Sequence, residues 1–164
     1  MSAGATTGAL TVRPAGPDDA TAVATIYNQG IEDRLATLET QLRSADERRE
    51  WMAARGPRHP VIVAEADGAV VGWGSLNSFN PRPAYDHVAD LSVYIERAWR
   101  GRGVGRRLIE RLVTLGREIG YHKIVLARSP STRPAWRSTG AWASPPSACT
   151  TSRACSTAAG WTSS

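Results

Sequence analysis

A glycine-rich turn carries the most informative chemistry of the sequence. Strand-like residues 90–95 (DLSVYI) lead to Arg-Gly-Arg-Gly-Val-Gly-Arg at 100–106, and a strong helical pattern follows over 103–120. A helix that begins in such a turn leaves several backbone N–H groups unpaired and directed at one point. Its N-terminus adds about half a positive charge there, and the glycines let the backbone approach a bound group closely. This arrangement is typical of an anion site, most naturally one for a diphosphate.

Two nucleotide-binding motifs do not fit the residues of this turn. A Walker loop requires Lys and then Ser or Thr after its last glycine, whereas Arg106 and Arg107 stand there. A Rossmann fingerprint requires a sixth-position glycine, which counted from Gly101 is Arg106, and an acidic residue about 20 positions later. The region 123–127 offers no such acid. A plain strand-to-helix turn with solubilising arginines stays open as the alternative.

The hydrophobic pattern predicts the elements that position this turn, in the order β, α, α, β, β, β, α, β. Helices are expected from Pro17 onward, over 44–55 and over 103–120, and strands at 10–14, 60–65, 69–74, 87–96 and 123–127. Ser44 with Glu47 has capping-box spacing, and Trp51 and Met52 are the expected buried contacts of that helix. Asp67-Gly68 predicts a hairpin. Helix-bearing connections around an antiparallel middle predict an α+β fold, a mixed α/β three-layer sandwich.

The composition favours one domain and disfavours several classes of partner. The chain has 164 residues, with 20 basic and 15 acidic residues. Three of the basic residues lie beyond residue 128, so 1–128 carries 17 against 15, which argues against a nucleic-acid surface. No apolar run reaches the roughly 18 residues of a membrane span and no signal peptide is visible, so we expect a cytoplasmic protein. The His and Cys residues lack metal-ligand spacing, so no metal site is predicted.

The turn and four other segments carry a family resemblance. Residues 100–105 resemble the (Arg/Gln)-x-x-Gly-x-(Gly/Ala) signature of the Gcn5-related N-acetyltransferase (GNAT) superfamily, which holds the diphosphate of acetyl-CoA. The further segments look like the phosphinothricin/arsinothricin N-acetyltransferase branch: 26–33 (IYNQGIED), 36–40 (ATLET), 81–85 (PRPAY) and 92–95 (SVYI). The resemblance covers about 10–127, with mild departures such as Leu38, where the branch usually has Phe. It implies the GNAT fold and acetyl-CoA as co-substrate.

The resemblance also implies which residues bind acetyl-CoA. The backbone of Val93, Tyr94 and Ile95 would pair with the pantetheine arm like an added strand. The turn would wrap the diphosphate through Arg100, Gly101, Arg102, Gly103, Val104, Gly105 and Arg106.

Asp90 matches the acidic residue that the family carries on its central strand. An ammonium group has no lone pair, so an amine must lose a proton before it attacks the thioester. A carboxylate near the cleft can take that proton directly or through water. The alternative for Asp90 is a solvated or salt-bridged strand residue.

Five residues are candidates for the acceptor pocket. Arg82 lies in the loop before the strand of Asp90, and arginine is the preferred bidentate partner of the carboxylate of a free amino acid; a surface arginine in a Pro-rich loop is the alternative. Tyr27, Asn28 and Glu32 lie at helical spacing where the family borders its acceptor pocket, although Tyr27 alone would more often be a core residue. Tyr85, in the same loop as Arg82, completes the set.

After residue 127 the resemblance stops. We therefore expect an acetyltransferase domain over 8–128 and a poorly ordered, non-family tail over 129–164. The tail contains no aliphatic residue larger than Ala, so it cannot supply paired core strands. By resemblance, Thr132 and Thr139 stand where the family has a CoA-contacting Asn and a general-acid Tyr, and Thr cannot replace a phenol of pKa near 10 as proton donor.

A shifted reading frame would account for the composition of the tail. Read one base early, the codons of Ser129, Pro130, Ser131 and Thr132 permit Phe-Pro-Phe-Asn, and the permitted residues continue as a plausible family C-terminus. A one-base deletion near the codon of Arg128 would produce this change. The hypothesis predicts an impaired or aggregation-prone product.

Three functions are consistent with the sequence to different degrees. The first is N-acetylation of a small amino acid analogue such as phosphinothricin or arsinothricin, and the second is a catalytically impaired acetyl-CoA-binding protein. The third, a basic nucleic-acid binder, is disfavoured by the nearly balanced charge of 1–128. The acceptor amine and a homodimer are left open.

Overall fold

A five-stranded sheet organises residues 9–34 and 39–126, the part of the chain that this computed structural model describes. The strands lie in sequence order across the sheet. Neighbours are antiparallel, except that the fourth and fifth strands are parallel. The strands are β1 (Thr11–Pro14), β2 (Val61–Ala66), β3 (Ala69–Ser78), β4 (Val88–Ile95) and β5 (Lys123–Val125).

Three α-helices of the described residues cover the sheet: α1 (Ala20–Glu32), α2 (Ala45–Ala53) and α3 (Val104–Ile119). The predicted capping box of α2 is confirmed, because the Glu47 N–H donates to Ser44 Oγ at 3.1 Å and the Ser44 N–H donates to Glu47 Oε2 at 2.7 Å. A 3₁₀ turn at Pro17–Asp19 precedes α1. There the Asp19 carboxylate accepts from the Gly16 N–H at 2.7 Å and from Arg13 at 2.8 and 3.0 Å.

The helices lie on opposite faces of the sheet, so the predicted three-layer α+β architecture is confirmed. On one face, apolar residues of α3 such as Leu108 and Leu112 pack on Ile62, Leu76 and Leu91 of the strands. On the other face, α1 packs its buried residues against Val63 and Trp73. The sheet is therefore the middle layer between α3 and the pair α1 and α2.

The predicted element order is confirmed, whereas several details differ. Trp51 and Met52 are only partly buried, and Arg48 is the buried residue of α2, because it packs against the aromatic rings on the sheet. Strand β3 continues to Ser78, four residues beyond the predicted strand end at 74, because it pairs with β4 from Gly72 to Ser78. The loop that follows contains a 3₁₀ turn at Pro83–Tyr85.

Glycine lets α3 lie close to the middle of the sheet. A Cβ at Gly74 of β3 would stand 2.9 Å from Leu112 Cδ1 and 2.9 Å from the Ser92 carbonyl oxygen. The absence of a side chain there lets the helix and the strand lie close together.

Residues 1–8, 35–38 and 127–164 lie outside the described part, and with them lie the predicted 129–164 tail and Leu38. Within residues 9–34 and 39–126, no helix has the length and apolar character needed to cross a bilayer.

Candidate active site

Three facing pairs of side chains on β3 and β4 form the base of the site. The register places Trp73 opposite Tyr94, Ser75 opposite Ser92 and Asn77 opposite Asp90. Because side chains alternate along a strand, these pairs share one face, the face of α1 and α2. The intervening residues of the two strands, such as Leu76 and Leu91, belong to the core under α3.

A cavity of about 380 Å³ lies over these pairs. Trp73, Ser75, Asn77, Ser92 and Tyr94 line it from the sheet, and Tyr27, Arg48 and Trp51 line it from the two helices. Glu39, Arg43 and Glu47 form a charged rim, with Arg43 Nε 3.0 Å from Glu39 and Arg43 Nη1 3.7 Å from Glu47. The volume is in the range of small-molecule sites, and the mixture of aromatic and polar walls is typical of them.

An aromatic cluster forms one end of the cavity. The Tyr94 ring stacks on Trp73 with centroids 4.7 Å apart and meets Tyr27 edge-on at 4.9 Å. Burial raises the pKa of the Tyr94 phenol. The guanidinium of Arg48 lies over the Tyr27 ring, 3.8 Å from its centroid, in cation–π geometry. This end of the cavity is aromatic and carries a buried cation.

Asp90 lies next to the cavity, one side chain beyond Ser92 along the same face of β4. Asn77 Nδ2 donates to Ser92 Oγ at 3.1 Å and to Asp90 Oδ2 at 3.5 Å. Burial raises the pKa of the Asp90 carboxyl above its usual range, while hydrogen bonds from Asn77 and Ser92 act in the opposite direction. A half-buried carboxylate with a raised pKa beside a cavity can act as a proton acceptor.

Arg55 fixes the orientation of the Asn77 amide. Arg55 Nη2 donates to Asn77 Oδ1 at 2.9 Å and to the Leu76 carbonyl, and Ser75 Oγ lies 3.1 Å from the same Asn77 oxygen. Because the oxygen of the amide is held by these donors, its NH₂ group must face Asp90 and Ser92. Burial lowers the pKa of Arg55 to about 10, so the side chain stays charged at neutral pH. Sequence reasoning missed this network, since no spacing pattern joins residues 55, 77 and 90.

Within residues 9–34 and 39–126, the outer edge of β4 is open beyond Asp90. Strand β5 pairs with Val88, Ala89 and Asp90, whereas β4 continues to Ile95. The Glu96 N–H donates to the Val71 carbonyl of β3 at 3.0 Å. Backbone groups of alternate residues point to the same side of a strand, so those of Tyr94 also point toward β3. The backbone N–H and C=O groups of Val93 and Ile95 therefore point to the outer edge. Among the described residues, only Arg100 Nε reaches this stretch, at 3.2 Å from the Ile95 carbonyl oxygen.

The predicted glycine-rich turn follows β4 and is open to solvent. Gly101 and Gly103 have φ of +79° and +85°, values that favour glycine. A Cβ on either would meet no atom of the described structure within 4 Å. No described side chain caps α3 at Gly103, so the first N–H groups of the helix are left for an external acceptor. The turn with the N-terminus of α3 therefore forms an exposed anion-binding geometry.

The arginines of the turn differ in their contacts. Arg100 Nη1 pairs with Asp33 at 2.6 Å, so this side chain ties the turn to the end of α1. Arg102 lies over the Trp99 ring at 4.9 Å, and Arg106 pairs with Glu110 at 2.7 Å. Val104 is buried under the sheet, whereas Gly105 is half-buried and lies beside the turn. The contribution of this segment to binding would come mainly from its backbone.

The structure separates the five predicted acceptor residues. Tyr27 lines the cavity. Asn28 stands behind its rim, where the side-chain amide holds the main chain of Arg43 through bonds of 2.8 and 2.9 Å. Glu32 is exposed and pairs with Arg97 at 3.3 Å, away from the cavity. Arg82 and Tyr85 are exposed in the loop before β4 and do not line the cavity.

The structure also brings residues to the cavity that the sequence analysis did not select, of which Arg48 is the most buried charge. A weak signal for it exists, because a charged side chain three positions before Trp51 shares a helical face with that aromatic residue. Among residues 9–34 and 39–126, no cluster of three His, Cys, Asp or Glu side chains could hold a metal ion.

Comparison with known proteins gives consistent matches. Residues 25–138 match the family described as the acetyltransferase (GNAT) family, a match that runs beyond residue 128. The L-amino acid N-acyltransferase MnaT of Escherichia coli is 33% identical over 117 residues, 71% of this chain and 68% of the relative. The L-methionine sulfoximine/L-methionine sulfone acetyltransferase of Salmonella typhimurium is 32% identical, over 71% of this chain and 68% of the relative.

A solved structure shows the same fold with a ligand. The GNAT superfamily phosphinothricin acetyltransferase from Sinorhizobium meliloti, in complex with AcCoA, superposes with a TM-score of 0.69 at 27% identity. The match covers 73% of this chain and 65% of that one.

Proposed function

The chain belongs to the acetyltransferase (GNAT) family and is an acetyl-CoA-dependent acyltransferase, and from this premise we propose that it acetylates the amino group of a small amino acid or amino acid analogue. One observation carries the proposal. The same stretch of β4 lines the cavity with Ser92 and Tyr94 and presents the outward backbone groups of Val93 and Ile95 at its open edge. An acceptor in the cavity and a donor along the edge would meet at this strand.

The residues of the turn and the open edge fit acetyl-CoA, which would supply an activated acyl thioester. Gly101 and Gly103 leave the backbone uncovered, and the N-terminus of α3 has free N–H donors for a diphosphate. The outward amide groups of Val93 and Ile95 can pair with an extended, amide-containing arm as a strand edge pairs with a peptide. Arg100 would hold the turn at the correct distance through Asp33 and the Ile95 carbonyl.

Asp90 is the proposed proton acceptor. Transfer to an amine forms a C–N bond, breaks the C–S bond of the thioester, and removes two protons from the starting ammonium group, one of which ends on the thiol. Asp90 would take a proton directly or through water, because it lies beside the cavity and its raised pKa makes it a better base than an exposed carboxylate. Asn77, held by Arg55, would keep the carboxylate facing the site.

The acceptor class follows from the relatives and from the cavity. The relatives are named for L-amino acids, methionine sulfoximine and methionine sulfone, and the structural neighbour for phosphinothricin. A cavity of about 380 Å³ accommodates a molecule of this size. Both charged and aromatic side chains line it, as a zwitterion with a short side chain requires.

The composition of 129–164 favours a second candidate, an acetyl-CoA-binding protein with impaired catalysis. We propose that this tail results from a shifted reading frame, and that Thr132 and Thr139 therefore replace residues that assist transfer. Sequencing the coding DNA across the codon of Arg128 tests this. A stop codon soon after Ser129, or no family-like sequence in the frame one base earlier, would exclude the frameshift.

A thiol-release assay with a panel of amines separates the two candidates. Acetyl-CoA should raise the melting temperature under both. Only the active enzyme releases free thiol when methionine sulfone, methionine sulfoximine or phosphinothricin is added, above the rate without acceptor. If acetyl-CoA stabilises the protein but no amine of the panel increases thiol release, the result would favour the impaired form.

A further inference from the structure

Two buried hydrogen-bond donors of the cavity wall have no acceptor in the part of the chain that the structure describes. Arg48 has 8% of its surface exposed and Trp73 has 2%. Among the described residues, neither Arg48 Nε nor Trp73 Nε1 has an acceptor within hydrogen-bonding distance. A buried donor without an acceptor destabilises the fold, more so when it is charged, so such donors usually serve a ligand or an ordered water.

The carboxylates near Arg48 in the described structure do not contact its guanidinium and so do not form an ion pair with it. Glu39 and Glu47 are the acidic residues of the cavity rim, and both form ion pairs with Arg43. The hydrogen bond from Arg43 lowers the pKa of Glu39, and Arg48 adds a weaker effect through space. No ion pair within 4 Å joins Arg48 to a carboxylate of the described residues. The inner end of the cavity therefore carries the positive charge of Arg48, whereas the rim, with two carboxylates and one arginine, is net negative.

We propose that Arg48, with Trp73 Nε1, is the anion subsite that binds the carboxylate of the acceptor amino acid. The planar guanidinium can offer parallel N–H donors to a carboxylate, and its position over the Tyr27 ring holds it in place without using those donors. This assignment rests on the proposed function and replaces Arg82 as the carboxylate partner, because Arg82 is exposed and outside the cavity. Amines without an acidic group would then be poor ligands.

Two ligands that differ only in this charge test the assignment. L-methionine sulfone has a single carboxylate, and its carboxamide keeps the amino group and the side chain. Each is titrated calorimetrically into the full chain in the presence of coenzyme A, so that no acetyl group is transferred. The wild-type protein should bind the acid at least about tenfold more tightly than the carboxamide, the effect of one charge-assisted contact.

Substitutions assign this discrimination to one side chain. In Arg48→Gln the acid should bind about tenfold more weakly and the carboxamide almost unchanged, so that the ratio falls below about threefold. The matched control is Arg49→Gln, which removes the same charge from the next position of α2 at an exposed residue outside the cavity. That variant should keep the wild-type ratio. If Arg48→Gln does not fold, Arg48→Lys should give an intermediate ratio, because it retains the charge and loses the planar pair of donors.

Every outcome decides the inference separately from the proposed function. Equal affinity of wild-type protein for the two ligands, no binding of either, or an equal loss of both in Arg48→Gln would overturn it. The same holds if Arg48→Lys retains the full discrimination. Thiol release by wild-type protein without discrimination would leave the proposed function intact. Discrimination that depends on Arg48, without thiol release for any amine, would support the subsite and contradict the proposed function.

Discussion

The two faces of the sheet are built from the same strands and have opposite character. Under α3, Leu76, Leu91 and Leu112 belong to a largely aliphatic core, and Gly74 has no space for a methyl group. Under α1 and α2, the alternate residues of β3 and β4 are aromatic or polar and surround a cavity. Because side chains alternate along a strand, successive residues of β3 and β4 face the core and the cavity in turn. Substitutions on the two faces should affect different measurements.

Asp90→Asn should give the largest effect, and only on activity. The amide is nearly isosteric but cannot take a proton, so we expect kcat/KM to fall by about 100- to 10,000-fold with little change in the free energy of unfolding. Thiol release and a urea titration measure the two quantities. Asp86→Asn, in the exposed loop before β4, is the matched control and should retain activity. A loss of less than about threefold would rule out Asp90 as the base.

Leu112→Ala tests the opposite face. This fully buried side chain packs against the sheet, and its truncation should lower the free energy of unfolding by about 3 kcal/mol. The surviving folded fraction should bind acetyl-CoA with unchanged affinity. Ser92→Ala, on the cavity face of β4, should change the free energy of unfolding by less than about 1 kcal/mol. Equal stability losses from these two substitutions would contradict the division between the faces.

Gly74→Ala adds a methyl group where the α3 face has no room. The added Cβ would lie 2.9 Å from the Ser92 carbonyl oxygen, which belongs to the backbone and cannot easily move, so we expect a loss of about 2 kcal/mol in chemical denaturation. Gly56→Ala is the control, since a Cβ there meets nothing within 4 Å. A Gly74→Ala variant as stable as Gly56→Ala would show that the contact relaxes without cost.

Asn77→Ala should have the smallest effect and act through Asp90. Its amide hydrogen bond lowers the pKa of Asp90 against the raising effect of burial. Without this hydrogen bond the pKa of Asp90 rises further, so a larger fraction of the Asp90 carboxylate is protonated at any given pH. The acid limb of the kcat/KM profile should move to higher pH, and the rate at neutral pH should fall about two- to tenfold. The control Ser78→Ala, at the end of the same strand, should leave the acid limb of the kcat/KM profile in place. If the acid limb does not move in Asn77→Ala, the effect of Asn77 on the pKa of Asp90 is excluded.

Periodicity and local signals were sufficient to predict much of the fold. Alternating residues predicted the strands, Asp67-Gly68 predicted the hairpin, and Ser44 with Glu47 predicted the start of α2, because each of these features depends on neighbours in the chain. The glycine turn was found for the same reason. Such features can be read from one sequence.

The acceptor side of the cavity depends on contacts between segments that are distant in the chain, and one sequence does not show such contacts. Arg48 is a charged residue on a short helix, which on average lies in solvent, and only its packing against Tyr27 reveals its burial. Arg82, by contrast, lies near the active strand in sequence but outside the cavity. The orientation of Asn77 by Arg55 likewise follows from tertiary structure alone.

We expect acetyl-CoA to bind at the turn Arg100–Arg106 and along the open edge of β4. Calorimetric titration of acetyl-CoA into the folded full chain measures this binding. Two temperatures are used because the binding enthalpy changes with temperature, so an enthalpy near zero at one temperature would not be near zero at the other. Saturable binding of one molecule per chain is predicted. Protein that unfolds cooperatively and gives no binding heat at either temperature would contradict the account.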